Sequence, residues 1–259
     1  MSWKYFYSSV KGTSHIASNT LKQDNCEICL FKDYLISAVA DGAGSAKYSD
    51  LSSKFICKLF VKKTKFWLAK NQLNDLSREI ITEWFITFQK VINRAISIYK
   101  LESSREFATT LLFSVLSKDL NVFVQIGDGI IAIGNEHDMN CVFIPQNGEF
   151  INTTHFATEI CATNIFMYKK TPEPVDQIVM FTDGIEQIAF DLKGQKPFIP
   201  FFKPFFVALE NLNNSGYSEN LSRQLEMFLQ SDRVNKKTDD DKTLFLASSI
   251  IKNIRGDNE

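Results

Sequence analysis

Three times along this 259-residue chain an apolar, strand-like run adjoins a short acidic segment. Residues 34–40 stop on Asp41-Gly42-Ala43-Gly44-Ser45, residues 177–182 run into Asp183-Gly184, and Asp239-Asp240-Asp241 leads into a last run at 244–250. Taken singly, each Asp-Gly is an ordinary turn signal. Jointly they describe carboxylates set at strand ends, a placement that lets groups from distant parts of a sequence converge. Oxygen ligands of this kind suit Mg²⁺ or Mn²⁺, which favour octahedral oxygen coordination and keep several waters. The glycine after Asp41 fits such a site, because a residue without Cβ lets backbone approach a metal or its waters.

The remaining chain supplies a scaffold. Strand-like runs fall at 4–9, 26–31, 108–116, 121–126, 130–134 and 141–144, with Ser117-Lys118-Asp119 reading as a hairpin turn. Helical stretches are expected at 50–69, 77–99, 202–212 and 219–230. In the second of these, Ile81, Trp84, Phe85, Phe88, Val91, Ile92, Ala95 and Ile96 recur at helical spacing and predict a core-facing stripe. Strands, helix pair, strands, helix pair, strand is an order that favours α+β layers over a βαβ parallel sheet. Residues 188–200, with Gly194 and Pro197, read as an irregular surface insertion. The sequence shows no internal repeat, and its 44% hydrophobic content suffices for one core, so a single domain over 1–259 is expected.

Charge and cysteine usage exclude several classes. Lys+Arg 29 against Asp+Glu 30 leaves a net charge of -1, without the basic bias of a general nucleic-acid binder. Residues 1–10 lack a basic segment followed by a long apolar run, and no later run is long enough to span a bilayer. A cytoplasmic protein that binds neither membrane nor nucleic acid is the expectation. Five cysteines, an odd number, suggest reduced thiols, and Cys26-x-x-Cys29 lacks the second pair or histidine that a zinc site requires.

Six segments occur in a telling order: Gln23-Asp24-Asn25, Val39-Ala40-Asp41-Gly42-Ala43-Gly44, Ala108-Thr109-Thr110-Leu111, Gln125-Ile126-Gly127-Asp128, Phe181-Thr182-Asp183-Gly184 and Asp240-Asp241-Lys242-Thr243. Over nearly the whole chain this set resembles the metal-dependent PPM phosphatases, the protein phosphatase type 2C-like group. Ser2-Trp3 and Gly12-Thr13-Ser14-His15 make it similar to a bacterial subgroup associated with von Willebrand A-domain and kinase-like proteins. The resemblance implies an α+β fold, a four-layer αββα sandwich of two antiparallel sheets flanked by helices. It implies a serine/threonine phosphoprotein phosphatase in which two Mn²⁺ or Mg²⁺ ions activate water for direct attack on phosphorus, with no covalent intermediate. On the family pattern Asp41 bridges both metals and Gly42 offers its carbonyl, while Asp183 and Asp240 are the remaining direct ligands. Asp24 supports the site through water, Asp128 joins Asp183 at a weaker third metal, and Asp241 takes an adjoining slot that is usually Asn. The expected partners are a phosphoserine or phosphothreonine protein, a cognate kinase and a von Willebrand A-domain protein, with the chain itself a monomer.

Departures from the pattern shape the rest. Gln23 stands where many members have glutamate, Ala43 where some carry a histidine acid, and Asn19 where others have a phosphate-binding arginine. His15 is then the candidate for catalysis and phosphate contact, since a protonated imidazole donates to a phosphate oxygen. The competing reading of His15 is a satisfied structural side chain, and both stay open here. Loss of the arginine also leaves an alternative function, a catalytically weak regulatory module that binds a phosphorylated partner. Retention of Asp41, Asp183 and Asp240 opposes it, because clustered carboxylates cost stability without metal or protons. Asp239-x-Asp241-x-Thr243 formally matches the nucleophile motif of haloacid-dehalogenase-like phosphatases, but there a strand precedes the motif and here one follows it. Residues 148–158, including Asn152, Thr153, Thr154 and His155, are a candidate cleft lining, and 188–200 a candidate substrate-side flap.

Overall fold

A computed structural model describes residues 2–135, 137–144 and 154–250. In chain order the elements are β1 (Ser2–Val10), α1 (Thr13–Ala17), β2 (Asn25–Phe31), β3 (Tyr34–Ala40), α2 (Ser49–Leu68), α3 (Arg78–Tyr99), β4 (Leu111–Leu116), β5 (Asn121–Ile126), β6 (Ile130–Gly134) and β7 (Met139–Cys141). They continue with α4 (Ala162–Ile165), β8 (Met167–Thr171), β9 (Gln177–Phe181), α5 (Glu186–Ala189), β10 (Phe190–Asp191), β11 (Lys196–Pro197), α6 (Ile199–Glu210), β12 (Gly216–Tyr217), α7 (Glu219–Leu229), α8 (Asp232–Asn235) and β13 (Lys242–Ile250).

Among the described residues two main sheets result, β12-β1-β13-β9-β6-β7 and β2-β3-β4-β5-β8, beside the small β10-β11 pair. Every strand pair is antiparallel except the short β1–β12 pair, which is parallel. Strand alternation sorts side chains into three apolar layers. Leu112 and Leu116 of β4, Ile178 and Met180 of β9, and Phe245 of β13 meet between the sheets. From the opposite faces, Leu111, Phe113 and Val115 pack under α2 and α3, while Val179, Phe181, Leu244 and Leu246 pack under α6 and α7. Strands covered on both faces are therefore continuous apolar runs instead of alternating ones. The outcome is the αββα sandwich.

The helices follow their stripes. In α3, Ile81, Trp84, Phe85, Phe88 and Ile92 are buried, and the helix stops at Lys100, whose φ of 53° breaks the helical path. Val91 of the same predicted stripe faces solvent instead, at 44% exposure. Phe60 of α2 packs edge-on against Trp84, Phe85 and Phe113, joining two helices to the sheet beneath.

Several boundaries differ from the sequence reading. The run predicted at 108–116 begins pairing as a strand only at Leu111, because Thr109 forms a single bridge with Gly42. The run predicted at 141–144 is instead Met139–Cys141, paired with β6. Strand β8 was not expected; its two exposed lysines, Lys169 and Lys170, hide the apolar pattern that an edge strand shows weakly. Residues 188–200 are not irregular: they hold the end of α5, the β10–β11 hairpin and the start of α6. Cys26 and Cys29 lie three apart in β2, so their thiols project to opposite faces of the sheet and cannot converge on one metal.

Candidate metal centre

Register explains why the acidic segments meet. Asn25 pairs with Ala40, Val39 with Leu112, Leu111 with Ile126, and Leu244 with Phe181. The starts of β2, β4 and β13 and the ends of β3, β5 and β9 thus share one end of the sandwich. Asp24, Asp41, Thr110, Asp128, Asp183 and Asp241 all sit within two residues of those ends. Hydroxyls of Thr182 and Thr243 donate to Oδ2 of Asp24 at 2.8 and 2.7 Å, tying the two sheets together there.

Asp41, Asp128 and Asp183 each bring a carboxylate oxygen to within 4.8 Å of the others. Asp41 is held by its backbone: its N–H donates to Thr110 Oγ1 at 2.9 Å, and its carbonyl accepts from Thr110 N–H at 2.8 Å and Thr109 Oγ1 at 2.9 Å. Thr154 donates to Oδ2 of Asp128, so the predicted cleft segment does touch the site at that residue. Asn152 and Thr153 lie outside the described residues. His155 pairs with Glu159 at 3.3 Å. Glu186, three residues after Asp183, is a further carboxyl near the cluster, its proton affinity raised by burial and then by the charge of Asp128.

Charge crowding is visible in the proton affinities. Burial first, then the charges of Asp24, Asp183, Asp128 and Asp240, push the Asp41 carboxyl well above its usual range. Burial followed by Asp128 and Asp24 raises Asp183 to about 7. Asp24 rises to about 6, through burial opposed in part by the two threonine hydroxyls. A carboxylate set this close requires protons or cations to coexist.

The donor set fits a divalent cation. Every candidate ligand is an oxygen, and among the described residues no N–H or hydroxyl donates to Oδ1 of buried Asp24 or to buried Oε1 of Gln23. Gly42 supplies close approach: a Cβ there would stand 2.7 Å from the Ser49 carbonyl and 2.9 Å from that of Gln23. Its bridge to Thr109 is made by the flanking bonds Ala43 N–H to Ala108 and Thr110 N–H to Asp41. Gly42's own carbonyl therefore faces away from the Thr109 segment. Gly184 is needed for packing rather than for a turn, since a Cβ would collide with the Asp241 carbonyl.

Asp240 and Asp241 divide their work in a way the sequence did not foretell. Asp240 is exposed, and its Oδ1 accepts the Asp241 N–H at 2.7 Å; it sits outside the tight triplet, though its charge is felt by Asp41 and Asp183. Asp241 is buried and bonded on both oxygens. Oδ1 meets Gly12 N–H at 2.7 Å and His15 Nδ1 at 2.9 Å, while Oδ2 accepts from the N–H groups of Gln23 and Asp24. Four donors on one side chain suit an acceptor-only carboxylate better than the amide of Asn. His15 is thus brought to the site indirectly, its Nδ1 fastened to this latch. Nothing in the spacing of Asp241 from Gly12 and Gln23 announces that contact, which depends on pairing over more than 200 residues.

Comparison with known proteins agrees with this architecture. A family model described as Protein phosphatase 2C matches residues 11–230, a span that includes Asp24, Asp41, Asp128 and Asp183 and ends before Asp240. Serine/threonine-protein phosphatase 3 of Escherichia coli (strain K12) is 33% identical over 258 residues, covering 95% of this chain and 98% of its own. Among solved structures, the serine/threonine phosphatase Stp1 from Staphylococcus aureus superposes with a TM-score of 0.66 at 13% identity, covering 97% of this chain and 96% of its own. RsbX in complex with magnesium gives 0.56 at 14% identity, over 95% of each chain. At such low identity these two likenesses speak for the fold.

Proposed function

The chain belongs to the protein phosphatase 2C family, and from that premise we propose that it is a metal-dependent serine/threonine phosphoprotein phosphatase working at the carboxylate-lined end of the sandwich. The convergence of Asp41, Asp128 and Asp183 within 4.8 Å is the observation that carries the reading. When bound, two Mn²⁺ or Mg²⁺ ions supply an activated water and the positive charge that favours direct attack on phosphorus. Asp41, Asp183 and Asp240, with the Gly42 carbonyl, would hold them; Asp128 with Asp183 would hold a third; Asp24 would act through water. Thr109 and Thr110 fix the backbone that presents Asp41. Thr182 and Thr243 orient Asp24 through one oxygen, and among the described residues no N–H or hydroxyl donates to the other.

His15 binds and orients through its ring. Asp241 accepts from Nδ1, which leaves Nε2 as the ring nitrogen that would donate to a phosphate oxygen or to the leaving group. The regulatory-module alternative is not favoured, because an assembled carboxylate cluster is what turnover needs and phosphate binding alone does not.

We read 1–259 as one phosphatase domain acting as a cytoplasmic monomer on a phosphoserine or phosphothreonine protein. A cognate kinase and a von Willebrand A-domain protein are its proposed partners, supported by the sequence resemblance. No helix among the described residues is long and apolar enough to cross a membrane. Phosphate release from p-nitrophenyl phosphate and a phosphothreonine peptide tests the reading. Turnover with Mn²⁺ or Mg²⁺, abolished by EDTA, is expected; no turnover by a folded protein in either metal would overturn it.

A further inference from the structure

A groove of about 830 Å³ opens between the β10–β11 hairpin, α6 and the α7–α8 corner, outside the carboxylate cluster. Its floor is aromatic: Phe201, Phe205 and Phe228 pack on one another with ring centroids 5.5–6.0 Å apart, and each remains partly open to solvent. Two cations stand on its α8 side, Arg233 and Lys237. Both are exposed, and among the described residues neither side chain is engaged in an ion pair or hydrogen bond. Among the described lining residues the one carboxylate, Asp191, accepts the Lys193 N–H at 3.1 Å within its own hairpin.

The cationic wall is joined to the catalytic end. Arg233 lies on α8 and Lys237 just beyond it, and the buried Lys242 donates from Nζ to Asn235 Oδ1 of α8 at 3.0 Å and to the Asp240 carbonyl at 3.1 Å. On the other wall, Ile188 belongs to α5, which follows directly on the turn bearing Asp183. Groove and metal centre are thus held in fixed relation, and they are of opposite character. The centre gathers carboxylates that repel an acidic chain, whereas the groove offers unpaired positive charge over an apolar floor.

We infer that this groove docks an acidic segment of the substrate phosphoprotein, with one bulky apolar residue seated on Phe201, Phe205 and Phe228 and neighbouring carboxylates facing Arg233 and Lys237. The inference rests on the phosphatase reading and extends it to substrate choice. Desolvation of the apolar side chain supplies affinity, and the two cations supply selection for charge.

The full-length chain carrying Arg233→Ala with Lys237→Ala is compared with wild type on three substrates: p-nitrophenyl phosphate, a phosphothreonine peptide flanked by glutamates and a leucine, and the same peptide with glutamines. The expected result is unchanged turnover of p-nitrophenyl phosphate and of the glutamine peptide, with kcat/KM on the glutamate peptide lower by about tenfold, mostly through KM. That gap closes in about 1 M salt, where the Debye length is about 3 Å. Equal kcat/KM for variant and wild type on the glutamate peptide overturns the inference, as does an equal loss on both peptides. Concentration-dependent dimerisation of wild type that the double variant removes also overturns it, by assigning the groove to a second copy of the chain. Absence of p-nitrophenyl phosphate turnover in wild type strikes the phosphatase reading itself and is distinguishable from all of these.

Discussion

Asp241 is 3% exposed and Asp24 1% exposed, at the same end of the sandwich, yet they meet very different numbers of donors. Asp241 accepts from three backbone N–H groups and from His15, so both its oxygens are matched. Asp24 has two threonine hydroxyls on one oxygen and, among the described residues, no N–H or hydroxyl on the other, and beyond it lie Asp41, Asp128 and Asp183. A buried polar group that is fully bonded stabilises the fold, whereas one left unmatched must find a proton or a cation. The contrast separates a latch that holds the N-terminal segment in place from a cluster kept for binding.

Asp41→Asn draws that contrast most sharply. Removing the central carboxylate is expected to lower kcat/KM by about a thousandfold while the protein stays folded, because several kcal/mol of charge stabilisation in the reaction depend on it. Circular dichroism beside the kinetic assay checks both halves; retained activity would deny the cluster its role. Asp241→Ala should do the reverse of a binding lesion. It leaves three buried N–H groups without acceptors, so unfolding in urea should show a loss of about 3 kcal/mol that added Mn²⁺ does not restore.

Proton linkage tests the cluster without mutation. Asp24 and Asp183, at about 6 and about 7, bind protons more tightly folded than unfolded. Their contribution to stability is full below the unfolded carboxyl range and is lost as pH rises through those two values. Tm of metal-free protein should therefore fall between about pH 5 and pH 8, and Mn²⁺ should raise it more at the upper end, where the carboxylates are open to metal. A flat metal-free profile would mean that the cluster is already neutralised. The smallest effect is expected at the join between the two regions. His15→Gln keeps a donor for Asp241 but loses the second ring nitrogen, and should cost about tenfold in kcat/KM with little change in Tm.

Much of the fold could be read from local pattern. Strands β3, β5 and β6 fall at the predicted residues because buried strands are unbroken apolar runs, and α3 lies within one residue of its predicted start because its apolar stripe is long. Elements with weaker patterns were harder to see. Strand β8 presents lysines, and the β10–β11 hairpin has only two residues on each side, so neither has enough apolar period to register.

The sequence by itself determined that Asp41 and Asp183 stand at strand ends beside glycines, since a run of buried side chains and the turn that ends it are local matters. Only the tertiary structure decided that Asp128 closes the triplet while Asp240 stands at its rim, and that Asp241 serves the backbone of Gly12, Gln23 and Asp24. Those roles follow from sheet register between residues far apart in the chain, where a carboxylate's use is set by which donors and which like charges the fold brings to it.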